Sequence, residues 1–132
     1  MSKIDRQAHV NPNQDLHPEG KADHPAKTVC GLNDDQLAAA SFLAKSLSDG
    51  NRLRILLLLE DGKRSVSAIV DELGLSQALV SHHLKELRRS LLVTVKRRGP
   101  FVYYSLADPR ILDVIDNLDN IANQLLTERR TF

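Results

Sequence analysis

The chain has 132 residues, 42% of them hydrophobic and 27% charged, with a formal net charge of +1. That allows one modest core and an arm, in the composition range of an ordinary soluble domain. A single cysteine, Cys30, excludes a disulfide framework within the chain and fits a reducing compartment. Aromatic residues make up only 4%, so Leu, Ile, Val and Ala must build the core, which favours helices over a β-sandwich. The opening MSKIDRQAHVNPNQ has no apolar run of the secretory kind. The longest strongly apolar run, ILLLL at 55–59, is too short to span a bilayer. A soluble, cytoplasmic protein without a membrane partner is expected.

Residues 1–32 hold Pro12, Pro18 and Pro25, many polar residues and few large apolar ones. Such a segment buries too little surface to offset its ordering entropy, so a flexible arm is expected there and a folded domain over 33–132. The arm carries His9, His17, His24 and Cys30.

From Asn33, NDDQLAAASFLAKSLSD places acids in a first turn and apolar residues at helical spacing: Leu37, Ala40, Leu43, Ala44 and Leu47. A second helix runs from about Gly50 to Gly62 and is apolar nearly all round after Arg54, the pattern of a central core helix. Ser65 then caps a short helix ending at Gly74, and Ser76 caps the next, QALVSHHLKELRRSL. Two short helices joined by a tight turn form a helix-turn-helix, with Ile69, Val70, Leu73, Leu75, Val80 and Leu84 sharing a small core.

LVTVKRRGPFVYYSL changes character: β-branched and aromatic residues flank KRRGP, which predicts a β-hairpin turning at Gly99-Pro100 with a basic tip. A last helix starts after Asp108 with Pro109 at its first position. Ile111, Val114, Ile115, Leu118, Ile121, Ala122 and Leu125 form one apolar stripe along it. A helix-turn-helix followed by a two-stranded wing is a winged helix. The expected fold is therefore mainly α with a small β-hairpin.

Charge is unevenly spread. Between Lys63 and Arg98 stand eight basic residues against three acids, a local net of +5, while the final helix from Asp108 to Arg130 carries −2. The basic unit coincides with the two elements that would touch a duplex, so double-stranded DNA is the expected partner. On the 76–89 helix, Gln77, Ser81 and His82 are placed to hydrogen-bond bases, and Ser76 with the helix N-terminus to hold a phosphate. Lys85 and Arg88 lie on the same helix, and Arg97 and Arg98 at the hairpin tip are expected along the backbone or minor groove. Adjacent histidines, His82 and His83, point about 100° apart on a helix, so they are expected to split, one facing DNA and the other packed or capping, rather than chelate together.

SLSDGNRLRILLLLEDG, LGLSQALVSHHLKELR and VKRRGPFVYYSL resemble the ArsR/SmtB family of small winged-helix repressors, over roughly residues 36–126. The resemblance implies a homodimer through terminal helices, binding an imperfect inverted repeat in a promoter, with repression relieved by an effector. The apolar stripe independently requires a covering surface, so Leu37, Ile111, Ile115, Leu118, Ile121, Ala122 and Leu125 are expected at the interface. At the family's two familiar metal sites the chain departs. Where many members carry Cys-Val-Cys there stand Ser65 and Ser67, and serine suits soft metals poorly. The positions of the second site are Asp108, Arg110, Ile121 and Gln124, of which only Asp108 keeps the family's residue.

Other effector chemistries stay open. His9, His17, His24 and Cys30 are a chemically suitable ligand set for zinc or a similar divalent ion. Cys30 alone offers a thiol- or redox-responsive regulator. An organic ligand, or none, is also compatible. A winged helix also serves as a protein-interaction module, but a basic wing and polar reading helix argue for DNA. No phosphate loop, placed triad or metal cage points to an enzyme.

Overall fold

A computed structural model of the chain describes residues 31–129. Five helices and three short strands follow in the order α1 (Asp34–Ser46), α2 (Gly50–Leu58), β1 (Arg64–Ser65), α3 (Val66–Leu73), α4 (Gln77–Arg89), β2 (Val93–Arg98), β3 (Phe101–Leu106) and α5 (Arg110–Arg129), with a 3-10 turn at Leu59–Asp61. The expected flexible arm falls outside the described residues except for Gly31 and Leu32, both exposed. No helix among the described residues is long and apolar enough to cross a membrane.

Side chains in the connections set where each helix starts. Asp49 Oδ1 accepts from the Asn51 and Arg52 amides at 2.9 and 3.0 Å and so opens α2. Arg52 in turn donates through Nε to the Ser46 carbonyl at 2.7 Å, satisfying a carbonyl that the end of α1 leaves orphaned. Ser65 Oγ accepts from the Ala68 amide and Ser76 Oγ from the Leu79 amide, each at 3.2 Å, opening α3 and α4. Between them Gly74 takes the left-handed conformation, φ 63°, and its amide returns to Val70 O at 2.9 Å. This turn fixes the angle between the two halves of the helix-turn-helix.

The strands form one antiparallel sheet in the order β1-β3-β2. The β2–β3 hairpin is the expected wing, in register from Val93↔Leu106 to Arg98↔Phe101. The third strand, β1, was not expected. It pairs Arg64 with Tyr104 and Ser65 with Tyr103. Two residues carry no readable alternation, and their strand conformation is supplied by the free edge of β3.

The core gathers Ile55, Leu56 and Leu59 from α2 and its following turn, Ile69 from α3, Val80, Leu84 and Leu87 from α4, Leu92 and Val93 leading into the wing, and Ile115 from α5. Val70, Leu73 and Leu75 pack against it half-buried, as the helix-turn-helix pattern predicts. The expectation for α2 needs correction. It is not buried all round: Leu57 is 46% exposed. Leu53 and Leu57 instead line an open groove of about 460 Å³ with Ile115, Leu118 and Ala122 of α5, rimmed by Asp116 and Asp119.

Candidate nucleic-acid interface

Helix α4 is sharply two-sided. Val80, His83, Leu84 and Leu87 face the core. Gln77, Ser81, Lys85 and Arg88 are all exposed and recur at helical spacing, so they form one solvent-facing stripe about a quarter-turn round from the buried one. His82 is exposed beside that stripe, one position round the helix. Ser76 is exposed as well, although its Oγ already accepts from the Leu79 amide. The residues expected to read DNA are therefore brought together on one solvent-facing surface.

The two histidines part as their spacing predicts. His83 is buried while His82 faces solvent, with ring centroids 5.4 Å apart and planes tilted by 59°. His83 Nε2 lies 3.8 Å from Asp49 Oδ1, which places the recognition helix against the cap of α2. The Asp49 carboxyl is held below its ordinary range, chiefly by the hydrogen bond from the Arg52 amide, with His83 and the Asn51 amide adding to it against a smaller desolvation effect. Among the described residues no group of three or more His, Cys, Asp or Glu stands close enough to hold a metal ion.

On the wing, strand alternation separates the two tip arginines. Arg97 pairs with Val102, and Val95 with Tyr104, so these four share the face turned toward α4. Together with Arg88 and Val66 they line a notch of about 440 Å³. Arg98 pairs with Phe101 and Lys96 with Tyr103 on the outer face. There Phe101 is 57% exposed, 6.3 Å from the Tyr103 ring, and Lys63 Nζ sits 4.9 Å from the Tyr103 centroid. Sequence reasoning did not single out Phe101 and Tyr103. The signal was present as aromatics directly following the KRRGP run.

The two positions equivalent to the family's metal sites are occupied by other work. Ser65 Oγ lies 3.2 Å from Ser67 Oγ while capping α3. Asp108 opens α5 by accepting from the Arg110 amide at 2.9 Å, and its other oxygen takes the Arg110 guanidinium at 2.7 Å. These bonds from Arg110, its side chain first, hold the Asp108 carboxyl down to about 2. A bound guanidinium and two hydroxyls do not fit a divalent metal in either place. His9, His17, His24 and Cys30 lie outside the described residues.

Along α5, Val114, Leu118, Ile121, Leu125 and Leu126 are exposed, as are Leu37, Phe42 and Leu43 on α1. Ile115 is not part of this free stripe: it is buried in the protomer's own core, with Ile111 packed against it.

A family model described as "Bacterial regulatory protein, arsR family" matches residues 49–95, from the cap of α2 into the wing. The HTH-type transcriptional regulator MJ1325 of Methanocaldococcus jannaschii is 35% identical over 83 residues, covering 62% of this chain and 93% of that protein. The transcriptional repressor SdpR of Bacillus subtilis is 34% identical over 80 residues, covering 61% and 89%. Among solved structures, a homodimeric winged helix-turn-helix DNA-binding domain from Mycobacterium bovis superposes with a TM-score of 0.62 at 29% identity, covering 76% of this chain and 95% of that one. The chain belongs to the arsR family of bacterial regulatory proteins, which are DNA-binding transcriptional regulators and not enzymes.

Proposed function

We propose that the protein represses transcription by binding, as a homodimer, an inverted-repeat operator in a promoter. The observation that carries this reading is the exposed stripe Gln77, Ser81, Lys85 and Arg88 with His82 beside it, set on a rigid helix next to a basic wing. Side-chain amide, hydroxyl and imidazole groups discriminate base edges in the major groove, which admits one helix. Ser76 and the amides at the start of α4 hold a phosphate. Lys85, Arg88, Arg97 and Arg98 add the charge-driven part of the affinity. Two-fold symmetry sets the two reading heads about 34 Å apart, one turn of DNA, and so calls for an inverted repeat. The repressor name of the Bacillus subtilis relative and the homodimeric state of the Mycobacterium bovis domain support the same reading.

Fluorescence anisotropy on the protein's own upstream promoter duplex, with a scrambled duplex as control, tests it. Selective binding that falls steeply as salt rises is expected. Equal binding to both duplexes, or a flat salt response, would remove the operator reading.

A further inference from the structure

We propose that the notch between α4 and the wing is the seat of one DNA backbone phosphate, gripped jointly by Arg88 and Arg97, while Arg98 lies outside it. The proposal rests on the DNA-binding reading and assigns separate tasks to two arginines that are neighbours in sequence.

The first ground is placement. Arg88, from the last turn of α4, and Arg97, from the inward face of β2, line the same open notch of about 440 Å³. Its other walls are Val66, Val95, Val102 and Tyr104. Arg98, one residue on, pairs with Phe101 on the far side of the hairpin.

The second ground is charge. Among the described residues, neither Arg88 nor Arg97 has a carboxylate or hydrogen-bond partner. Arg54, Arg98 and Arg129 share that state but do not line the notch, whereas Arg64 faces Glu72 at 3.6 Å, Arg89 faces Glu86 at 3.8 Å and Arg110 holds Asp108 at 2.7 Å. Two guanidiniums lining one notch repel each other unless an anion sits between them. The valine walls offer nothing to hydrogen-bond a base edge, so the two guanidiniums and the Tyr104 side chain supply the notch's polar side-chain groups. Arginine's planar fork matches the paired oxygens of a phosphodiester.

The third ground is the path of the DNA. With α4 in the major groove and the wing tip at the minor groove, a single sugar–phosphate strand separates the two elements. The notch is the part of the protein that lies between them. A phosphate seated there sets the register of α4 on the bases without reading sequence itself.

The test uses the full chain and a set of promoter duplexes, each with one neutral methylphosphonate, moved position by position across the footprint. For the parent protein, one position in each half-site is expected to lower affinity on the order of tenfold, the worth of one charge-assisted contact. Arg88→Ala and Arg97→Ala should each blunt the penalty at that same position, and the double variant should abolish it. Arg98→Ala should weaken binding yet keep the penalty. Arg88→Lys and Arg97→Lys keep the charge and should retain part of it, which separates lost contact from lost fold. Penalties at different positions for the two arginines, or a penalty intact in the double variant, would overturn the shared seat. A parent that binds promoter and scrambled duplexes alike would instead strike down the operator reading, and the seat with it.

Discussion

Leu91 holds a backbone conformation that glycine ordinarily fills. It follows α4 at φ 64°, with its amide bonded to Arg88 O at 3.1 Å and the Leu92 amide to Leu87 O at 3.0 Å, the closing pattern of a helix end. A β-carbon costs about 1–2 kcal/mol there, and the Leu91 side chain is 76% exposed, so it recovers little by burial. Leu91→Gly should therefore stabilise the fold by roughly 0.5–1 kcal/mol, after the entropy that glycine adds to the unfolded chain. A denaturant midpoint that rises at unchanged slope would show it, and a fall would mean that the exposed side chain has a partner. Asp49 is a second residue with a local consequence. Its carboxyl titrates lower in the folded state than in the unfolded chain, so its contribution is present above the ordinary carboxylate range and is lost as pH falls through the folded value. Asp49→Asn keeps a cap but not the charge, and should flatten the loss of stability as pH falls below the ordinary carboxylate range. An acid limb of the same steepness in parent and variant would assign that loss to other carboxylates.

At the scale of the element, the proposed recognition rests on α4 presenting three polar side chains in a fixed order. Replacing Gln77, Ser81 or His82 by Ala should each cost about 1–3 kcal/mol of operator binding and blur base preference at one position, with binding to scrambled DNA nearly unchanged. Selective binding that survives His82→Ala would move the reading face elsewhere on the helix. His83, one residue on, belongs to the core, so His83→Ala should act on stability before it acts on specificity. This two-sidedness was legible in the sequence because the start of α4 is marked by Gly74 and Ser76, which sets the phase in which its apolar and polar residues alternate at helical spacing. The wing was legible as a hairpin, but not the facing of its arginines. Facing depends on register, and a slip of one residue exchanges Arg97 for Arg98. Strand β1 was invisible for a related reason: Arg64 and Ser65 become a strand only because Tyr103 and Tyr104 stand opposite them. The burial of α2 was over-read, since an apolar run shows that a helix can be covered but not on how many sides it is, and Leu57 faces an open groove.

At the scale of the whole molecule, the exposed apolar residues fall into a pattern that a single chain leaves uncovered. Val114, Leu118, Ile121 and Leu125 follow one another along α5, and Leu118 also borders the groove that Leu53 and Leu57 open on α2. A surface of this kind marks an interface, and two-fold symmetry places each residue in it twice. Leu118→Glu should therefore set two uncompensated carboxylates against apolar surface in the dimer, while the monomer, in which Leu118 is 49% exposed, still folds. Sedimentation should show the variant as a folded monomer, with a far-UV spectrum like that of the parent. Separated heads lose the gain from linkage, so operator affinity should fall by roughly 10²-fold or more, although no DNA-facing residue has changed. The residual binding should then depend on one half-site alone, and a duplex with a single half-site should bind as well as the full repeat. An intact dimer in the variant would take α5 out of the interface and leave the exposed stripe to another partner. A monomer that kept full operator affinity would instead show that one head suffices, and the inverted repeat would lose its physical basis.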